Sequence, residues 1–202
     1  KDALYHNIEY LREYKQKELL PVIKANAYGH NSLLIAKALY DFNLKTWAVA
    51  RFSEAISITE YMMNNFSIND FKILVFESLN DDYSFLEKYP QICPTINSIK
   101  DLKNALANNI PIDRLSLKID FGFGRNGVKE EEVDELKNLI KFNSLKFLSI
   151  FSHLFSASYT DGLEVIRKFT EVVNKLGRNN FQMIHLQNAA GIYNYDVEVV
   201  TH

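Results

Sequence analysis

A chain of 202 residues with 47% hydrophobic and 24% charged residues is long enough to bury one sizeable core. Its formal net charge of −2 gives no electrostatic reason to expect nucleic acid or an anionic membrane surface as a partner. A single cysteine, Cys93, excludes an internal disulfide framework, and no run approaches the roughly 20 apolar residues that span a bilayer, so we expect a cytoplasmic protein.

The chain opens on a helical pattern, KDALYHNIEYLREYKQ, and then alternates short apolar runs with further helical patterns. The runs are rich in Val, Ile, Leu and Phe and mostly continuous, which is typical of parallel strands that helices cover on both faces. In chain order the predicted strands are LLPVIK (19–24), TWAVAR (46–51), KILVFE (72–77), ICPTI (92–96), RLSLKID (114–120), FLSIFSH (147–153), QMIHL (182–186) and DVEVV (196–200).

The helical patterns between the strands carry caps and apolar faces. After the opening helix they are NSLLIAKALYDF, SEAISITEYMMNN, SIKDLKNALANN, EEEVDELKNLIKF and DGLEVIRKFTEVVNKLG. Asn31 or Ser32 can cap the first of these and Ser98 the third, because a short polar side chain accepts a backbone hydrogen bond there. We place the start of the second at Ser53, where the capping box lacks its glutamate. Gly177 suits the residue that follows the last helix.

Strand-then-helix units spaced by roughly 20–35 residues are the pattern of an α/β fold of the (β/α)8 or TIM-barrel type. A doubly wound open sheet is the alternative, but no G-x-G-x-x-G or Walker-type phosphate loop follows the first predicted strand. Because the sequence starts without Met inside a helix and stops after VEVV, we expect a barrel that is incomplete at both ends, with residues 1–202 as one domain.

In such a barrel the chemistry belongs at the rim formed by the carboxyl ends of the strands. Lys24 ends the first predicted strand, and Arg125 follows the fifth in KIDFGFGRNG. His153, His185 and Asn188 lie at or just after the ends of the sixth and seventh. A lysine that loses solvation there keeps a free amine able to attack a carbonyl, as Schiff-base enzymes require. The alternative is a lysine that extends from a strand end into solvent.

Three motifs at these positions resemble those of alanine racemases, the barrel-type (fold type III) pyridoxal-phosphate enzymes. VIKANAYGHN, residues 22–31, resembles the lysine segment of that family almost residue for residue. LKIDFGFGRNG (117–127) resembles its LKxDTGMGRxG, and HLQNAAG (185–191) resembles its HxxNSAG. The resemblance extends along essentially the whole chain, including the opening DALYHN.

The resemblance implies pyridoxal 5'-phosphate as the cofactor, without a metal. Lys24 would hold the cofactor as a Schiff base and would act as one of two bases that move the substrate α-proton, on the D-alanine side. Tyr28 would contact the cofactor phosphate, and Arg125 would hydrogen-bond its phenolic oxygen, a task that suits a planar, permanently charged donor. Lys118 is often carbamylated in this family. Because an unmodified inward-facing lysine beside Arg125 would be costly, we expect a compensating anion there.

Two histidines and an asparagine complete the implied site. His153 resembles the histidine packed against the cofactor ring, and His185 resembles one in the hydrogen-bonded layer behind the pyridine edge. Asn188 would help to hold the phosphate region. The phosphate-binding serine that usually follows it is Ala189 here, so one hydroxyl donor is missing, and backbone amides, Tyr28 or a water could replace it.

The glycine-rich loop also departs from the family pattern. Phe121 and Phe123 stand where Thr and Met are usual, and both changes read as tolerable packing substitutions. Gly122, Gly124 and Gly127 would let the backbone come close to its neighbours.

The resemblance implies that the complete protein interconverts L- and D-alanine for bacterial peptidoglycan synthesis. Its second base would be a tyrosine of a β-rich C-terminal domain that is not among the 202 residues, supplied across the interface of a homodimer, so this fragment alone is expected to be inactive or nearly so. The alternatives are a non-catalytic pyridoxal-phosphate homeostasis barrel, a related amino-acid racemase or decarboxylase, and a phosphate-binding barrel that uses no aldehyde cofactor.

Overall fold

The structure, a computed structural model, describes residues 1–79, 83–154 and 159–202. The chain divides into two compact units, which we call unit 1 (Lys1–Thr95) and unit 2 (Ile96–His202). Each unit contains parallel strands with intervening helices, as the alternating sequence pattern predicts.

Unit 1 contains the opening helix and the first strands. In chain order its elements are α1 (Asp2–Lys15), α2 (Lys24–Tyr28), α3 (Ser32–Asp41), β1 (Thr46–Val49), α4 (Phe52–Phe66), β2 (Lys72–Ser78), α5 (Phe85–Lys88) and β3 (Ile92–Ile96), the last of which reaches the boundary between the units. The side chain of Asn31 accepts the N–H of Leu34 at 3.2 Å, which confirms Asn31 as the N-cap of α3.

The strands of unit 1 pair in parallel in the order β1, β2, β3. Trp47 of β1 lies opposite Ile73 of β2, and Ile73 lies opposite Ile92 of β3. The consecutive residues Ile73, Leu74 and Val75 are all fully buried, so both faces of β2 are covered. Continuous apolar runs therefore correspond to strands enclosed on both sides, as expected.

The predicted first strand, LLPVIK (19–24), is wrong except at one position. Val22 makes an isolated parallel bridge to Ala48, and Ala48 donates its N–H to the carbonyl of Pro21 at 2.8 Å. Pro21 has no N–H with which to continue a ladder, and the chain enters α2 two residues after Val22. The apolar run therefore has too few backbone hydrogen-bond partners to form a strand.

Unit 2 continues the alternation. Its elements are α6 (Ile99–Ala107), β4 (Ser116–Asp120), β5 (Val128–Lys129), α7 (Val133–Phe142), β6 (Phe147–Phe151), α8 (Tyr159–Leu176), β7 (Phe181–His185) and α9 (Ala189–Asn194), with 3-10 turns at Ile112–Arg114, Glu130–Glu132 and Arg178–Asn180. Ser98 accepts the N–H of Asp101 at 3.1 Å, which confirms it as the N-cap of α6.

The strands of unit 2 are also parallel: β4 pairs with β6, and β6 pairs with β7. Leu117 lies opposite Ile150, which lies opposite Ile184, and all three side chains are buried. The two-residue strand β5 pairs with the end of β4 and was not predicted, because a run of two residues carries no periodic signal.

The predicted strand DVEVV (196–200) is wrong. Val197, Val199 and Val200 are buried, so the apolar pattern did identify core residues. The N–H of Val200, however, donates to the carbonyl of Val197 at 3.2 Å and closes a turn instead of joining a ladder. Within the described ranges, none of the helices combines the length and hydrophobicity needed to cross a bilayer.

Candidate active site

Lys24 begins α2, the short turn that follows the Val22 bridge in unit 1. Its ammonium nitrogen lies 5.9 Å from the centroid of the Tyr28 ring, a favourable arrangement of cation and aromatic face. The Tyr28 side chain is 63% exposed, and Lys24 itself is of intermediate exposure, so the desolvation expected from the sequence is incomplete. Unit 1 thus presents an amine and a phenol together on one turn.

The backbone of α2 is left-handed. The φ angles of Ala25, Asn26, Ala27 and Tyr28 are 51°, 56°, 53° and 52°, and Gly29 continues the run at 91°. A left-handed conformation costs an L-residue about 1–2 kcal/mol, and only glycine adopts it freely. Four consecutive non-glycine residues in this region therefore need support from the surrounding structure.

Part of that support comes from hydrogen bonds that join the turn to residues outside it. Asn26 accepts the N–H of Ser32 on its side-chain oxygen at 2.9 Å, and Ala25 donates its N–H to Oε1 of Glu54 at 2.6 Å. Glu54 lies near the start of α4, and its Oε2 accepts the N–H groups of Ala50 at 2.9 Å and Arg51 at 3.0 Å. One carboxylate therefore joins the turn of Lys24 to the N-terminus of α4.

The sequence reasoning missed Glu54. It placed the start of the helix at Ser53, whereas α4 begins at Phe52 with Arg51 as N-cap, so that Glu54 occupies the third helical position of a capping box. The signal was present in the sequence, since a glutamate at the third position of a helix commonly bonds back to the N-cap N–H. An N-cap placed two residues earlier, at Arg51 instead of Ser53, would have identified its capping role, though not its bond to Ala25.

In unit 2, three neighbouring strands end beside one another. Because β4, β6 and β7 are adjacent and parallel, their carboxyl ends lie at one edge of the sheet. Arg125 follows β4, His153 follows β6, and His185 is the last residue of β7. The edge therefore carries a guanidinium and two imidazoles.

Phe123 connects two of these groups. Its ring centroid lies 4.8 Å from the guanidinium carbon of Arg125 and 5.0 Å from the centroid of the His153 ring, which it meets edge-to-face at 64°. A phenylalanine at this position is therefore more than a packing substitution, because its ring contacts both a cation and an imidazole.

The loop that carries Arg125 is held by Asp120. Its two carboxylate oxygens accept the N–H groups of Phe123 at 2.9 Å and Gly124 at 2.8 Å. At Gly127 the backbone runs so close to the end of β4 that a Cβ would lie 2.8 Å from the nitrogen of Asp120. A Cβ on Gly124 would meet nothing within 4 Å. Of these two glycines, only Gly127 lies so close to neighbouring backbone that a Cβ would not fit.

Lys118 lies on β4 with only 5% of its surface exposed. Burial lowers the pKa of its ammonium to about 8, the nearby charge of Arg125 acts in the same direction, and Asp120 opposes both. The compensating anion that the sequence led us to expect is therefore only partly supplied by Asp120.

His185 is stacked on Phe151, with ring centroids 4.7 Å apart and planes within 10°. Its Nε2 lies 3.3 Å from the hydroxyl oxygen of Ser149, which donates to the hydroxyl of Ser116 at 2.8 Å. Burial lowers the pKa of His185 to about 3, and the charge of His202 adds to this effect. The imidazole is therefore neutral at physiological pH and linked to buried hydroxyls.

Asn188 is the N-cap of α9. Its side-chain oxygen accepts the N–H of Gly191 at 2.9 Å, and its side-chain nitrogen donates to the carbonyl of Leu154 at 3.0 Å. Both ends of the amide are thus engaged with backbone groups, so the side chain orders this turn. Ala189, the position that usually holds serine, is exposed at the first residue of the helix.

Comparisons with known proteins bear on the whole chain. The family described as "Alanine racemase, N-terminal domain" matches residues 1–202. The alanine racemase of Fusobacterium nucleatum is 33% identical over 99% of this chain and 56% of its own length. This chain thus spans about half the length of the curated relatives it matches.

Solved structures give the same result for the fold. The alanine racemase of Corynebacterium glutamicum superimposes with a TM-score of 0.79 at 22% identity, over 96% of this chain and 57% of that one. A structure described as alanine racemase from Bartonella henselae with covalently bound pyridoxal phosphate gives 0.76 at 23% identity, with 96% and 57% covered. These similarities confirm the predicted α/β barrel class, and the match from Lys1 to His202 shows that the chain belongs to the alanine racemase family, as its N-terminal domain.

Proposed function

We propose that the full-length protein containing this chain is a pyridoxal-phosphate-dependent alanine racemase that interconverts L- and D-alanine. The observation that carries the proposal is the position of Lys24: an amine on a left-handed turn, in a chain that matches the racemase domain along its whole length. Residues 1–202 would form the cofactor-binding barrel domain.

The residues of this chain suit the cofactor by their chemistry. Lys24 would supply the amine for covalent attachment, and the structure from Bartonella henselae is described as having covalently bound pyridoxal phosphate. Arg125 supplies a cation that cannot deprotonate, next to the ring of Phe123 and, through it, His153. The family resemblance assigns Tyr28, and separately the turn capped by Asn188, to the phosphate of the cofactor. When bound, pyridoxal phosphate would spread the charge left by removal of the α-proton, which is the difficult part of the reaction.

The protein residues would then orient the substrate and move one proton. Lys24 would take or return the α-proton on the D-alanine face. The neutral His185 would accept or donate a hydrogen bond without adding positive charge near the cofactor. Racemisation needs a second base on the opposite face, which the family resemblance assigns to a tyrosine of the C-terminal domain. We therefore propose a cytoplasmic homodimer of the full-length chain as the active form, with D-alanine supplied to peptidoglycan.

The function is tested with the full-length protein and a panel of L-amino acids. Chiral chromatography should show D-alanine formed from L-alanine, with slower conversion of serine, lysine and other amino acids. Borohydride treatment followed by peptide mass spectrometry should place the reduced cofactor on Lys24. Binding of the cofactor without racemisation of any amino acid would instead favour a non-catalytic role in cofactor homeostasis.

We further propose that Lys118 is carbamylated. The observations that support this are its burial and a pKa near 8, which leaves a larger fraction of free amine than an ordinary lysine has, together with the adjacent positive charge of Arg125. Reaction of the free amine with carbon dioxide gives a carbamate, with release of one proton. The product is an anion that would pair with Arg125.

Two measurements test the carbamate and the low pKa on which its formation depends. The protein in 13C-bicarbonate should show a carbamate resonance that is absent from Lys118→Met. In carbonate-free buffer, the folded Lys118 loses its proton near pH 8 and the unfolded one near 10.5, so stability should rise with pH between these values. Lys118→Met should lack this rise. A wild-type protein without the resonance would refute the carbamate, and a pH profile identical to that of the variant would refute the lowered pKa.

A further inference from the structure

The carboxylate of Glu54 is bonded to two parts of unit 1 at once. Its Oε2 accepts the N–H groups of Ala50 at 2.9 Å and Arg51 at 3.0 Å, at the start of α4. Its Oε1 accepts the N–H of Ala25 at 2.6 Å, 29 residues away in the sequence. Ala25 is the residue directly after Lys24, so the carboxylate holds the backbone on which the proposed catalytic amine stands.

Hydrogen bonds within the turn have to offset the cost of its left-handed backbone. Within α2 and its ends, Ala27 donates to the carbonyl of Ile23 at 3.0 Å and Gly29 to that of Ala25 at 3.3 Å. These bonds act against the conformational cost of four left-handed residues. The N–H of Ala25 is bonded outside the turn, to a charged acceptor, and hydrogen bonds to charged acceptors are about twice as strong as neutral ones.

We propose that Glu54 is a positioning residue for Lys24. By holding the N–H of Ala25 it fixes the first left-handed residue, and with it the direction in which the Lys24 side chain leaves the backbone. Glu54 does not act on the substrate or the cofactor itself. The inference rests on the proposed function, because it assigns Glu54 a role in placing the amine that would bind pyridoxal phosphate.

The chain offers a matched control. Glu77 accepts the N–H of Phe52, the first residue of α4, at 3.0 Å through its Oε2. It therefore supports the same helix N-terminus as Glu54 but is not bonded to Ala25. Glu77→Gln removes a carboxylate from the start of α4, whereas Glu54→Gln removes one from both α4 and the Lys24 turn.

The experiment compares Glu54→Gln, Glu54→Asp and Glu77→Gln in the full-length protein. In the cofactor-free form, hydrogen exchange of the Ala25 amide should be at least ~10-fold faster in both Glu54 variants and unchanged in Glu77→Gln. Attachment of pyridoxal phosphate to Lys24, trapped with borohydride at successive times, should be slower by about 10-fold in the Glu54 variants alone. Their kcat should fall by a similar factor with KM nearly constant.

Two results would overturn the inference. Unchanged Ala25 exchange in Glu54→Gln and Glu54→Asp would mean that the bond does not hold the turn. Equal effects of Glu54→Gln and Glu77→Gln on exchange of the Ala25 amide and on attachment of the cofactor would mean that Glu54 acts only as a cap of α4. Failure of the proposed function is a separate outcome. A wild-type protein in which borohydride fixes no cofactor on Lys24 refutes the enzyme assignment and the proposed role of the turn in catalysis. The exchange data then still decide whether Glu54 holds Ala25.

Discussion

Lys24→Ala is expected to lower kcat/KM for racemisation of alanine by at least about 10⁴-fold in the full-length protein. The substitution removes both the amine that would hold the cofactor and one of the two bases, so the two losses act on the same step. The turn itself should survive, because its bonds to Ile23 and Glu54 are made by backbone N–H groups of Ala27 and Ala25. Activity is measured by chiral chromatography, and folding by the melting temperature.

Lys100→Ala is the control for this change. Lys100 is an exposed residue of α6, so the same side-chain truncation at that position should leave activity and cofactor binding as in the wild type. Residual turnover of Lys24→Ala above about 1% of wild type would count against its role as a base. A borohydride-fixed cofactor on a different lysine would show that the anchor had been assigned to the wrong residue.

Gly127→Ala is expected to lower the free energy of unfolding by about 2–4 kcal/mol. Its φ of 132° is unfavourable for any residue with a Cβ, and that Cβ would lie 2.8 Å from the nitrogen of Asp120 and 2.9 Å from the carbonyl carbon of Ile119. Backbone atoms at the end of a buried strand cannot move aside as a flexible side chain can. The melting temperature should fall by about 5–15 °C, as measured by calorimetry.

Gly124→Ala separates the two causes of that loss. Gly124 also has a positive φ, 73°, but the added Cβ would meet nothing within 4 Å. Its cost should therefore be the conformational one alone, about 1 kcal/mol. Equal destabilisation by the two substitutions would show that contact with the end of β4 contributes nothing, contrary to the geometry.

The strands of the fold were largely predictable because burial on both faces leaves a plain signal. KILVFE and ICPTI were located almost to the residue, since Ile73, Leu74 and Val75 and all five residues of ICPTI are buried. The errors arose where apolar residues follow one another in the sequence without forming a ladder of strand hydrogen bonds. The run at 19–24 is interrupted by Pro21, and the run at 196–200 closes a turn at Val200.

The candidate site was predictable in its residue types and less so in its local geometry. Ala25 and Ala27 have the highest propensity for a right-handed helix, yet both are left-handed here. Ala25 is bonded to a partner distant in sequence, Glu54, and no local pattern contains that information. The contact of Phe123 with Arg125 and His153 also depends on how the loop after β4 folds back, which the motif alone does not show.

The left-handed backbone of α2 also bears on when this turn can form during folding. Two of its supports join residues that are far apart in the chain: Val22 with Ala48, and Ala25 with Glu54. The entropy cost of closing such loops must be met before these contacts can stabilise the turn, so we expect β1 and α4 to assemble first. Contacts made after the rate-limiting barrier govern how fast a protein unfolds and hardly affect how fast it folds. We therefore expect the segment that carries Lys24 to become ordered after β1 and α4, so that loss of its bond to Glu54 should speed unfolding more than it slows folding.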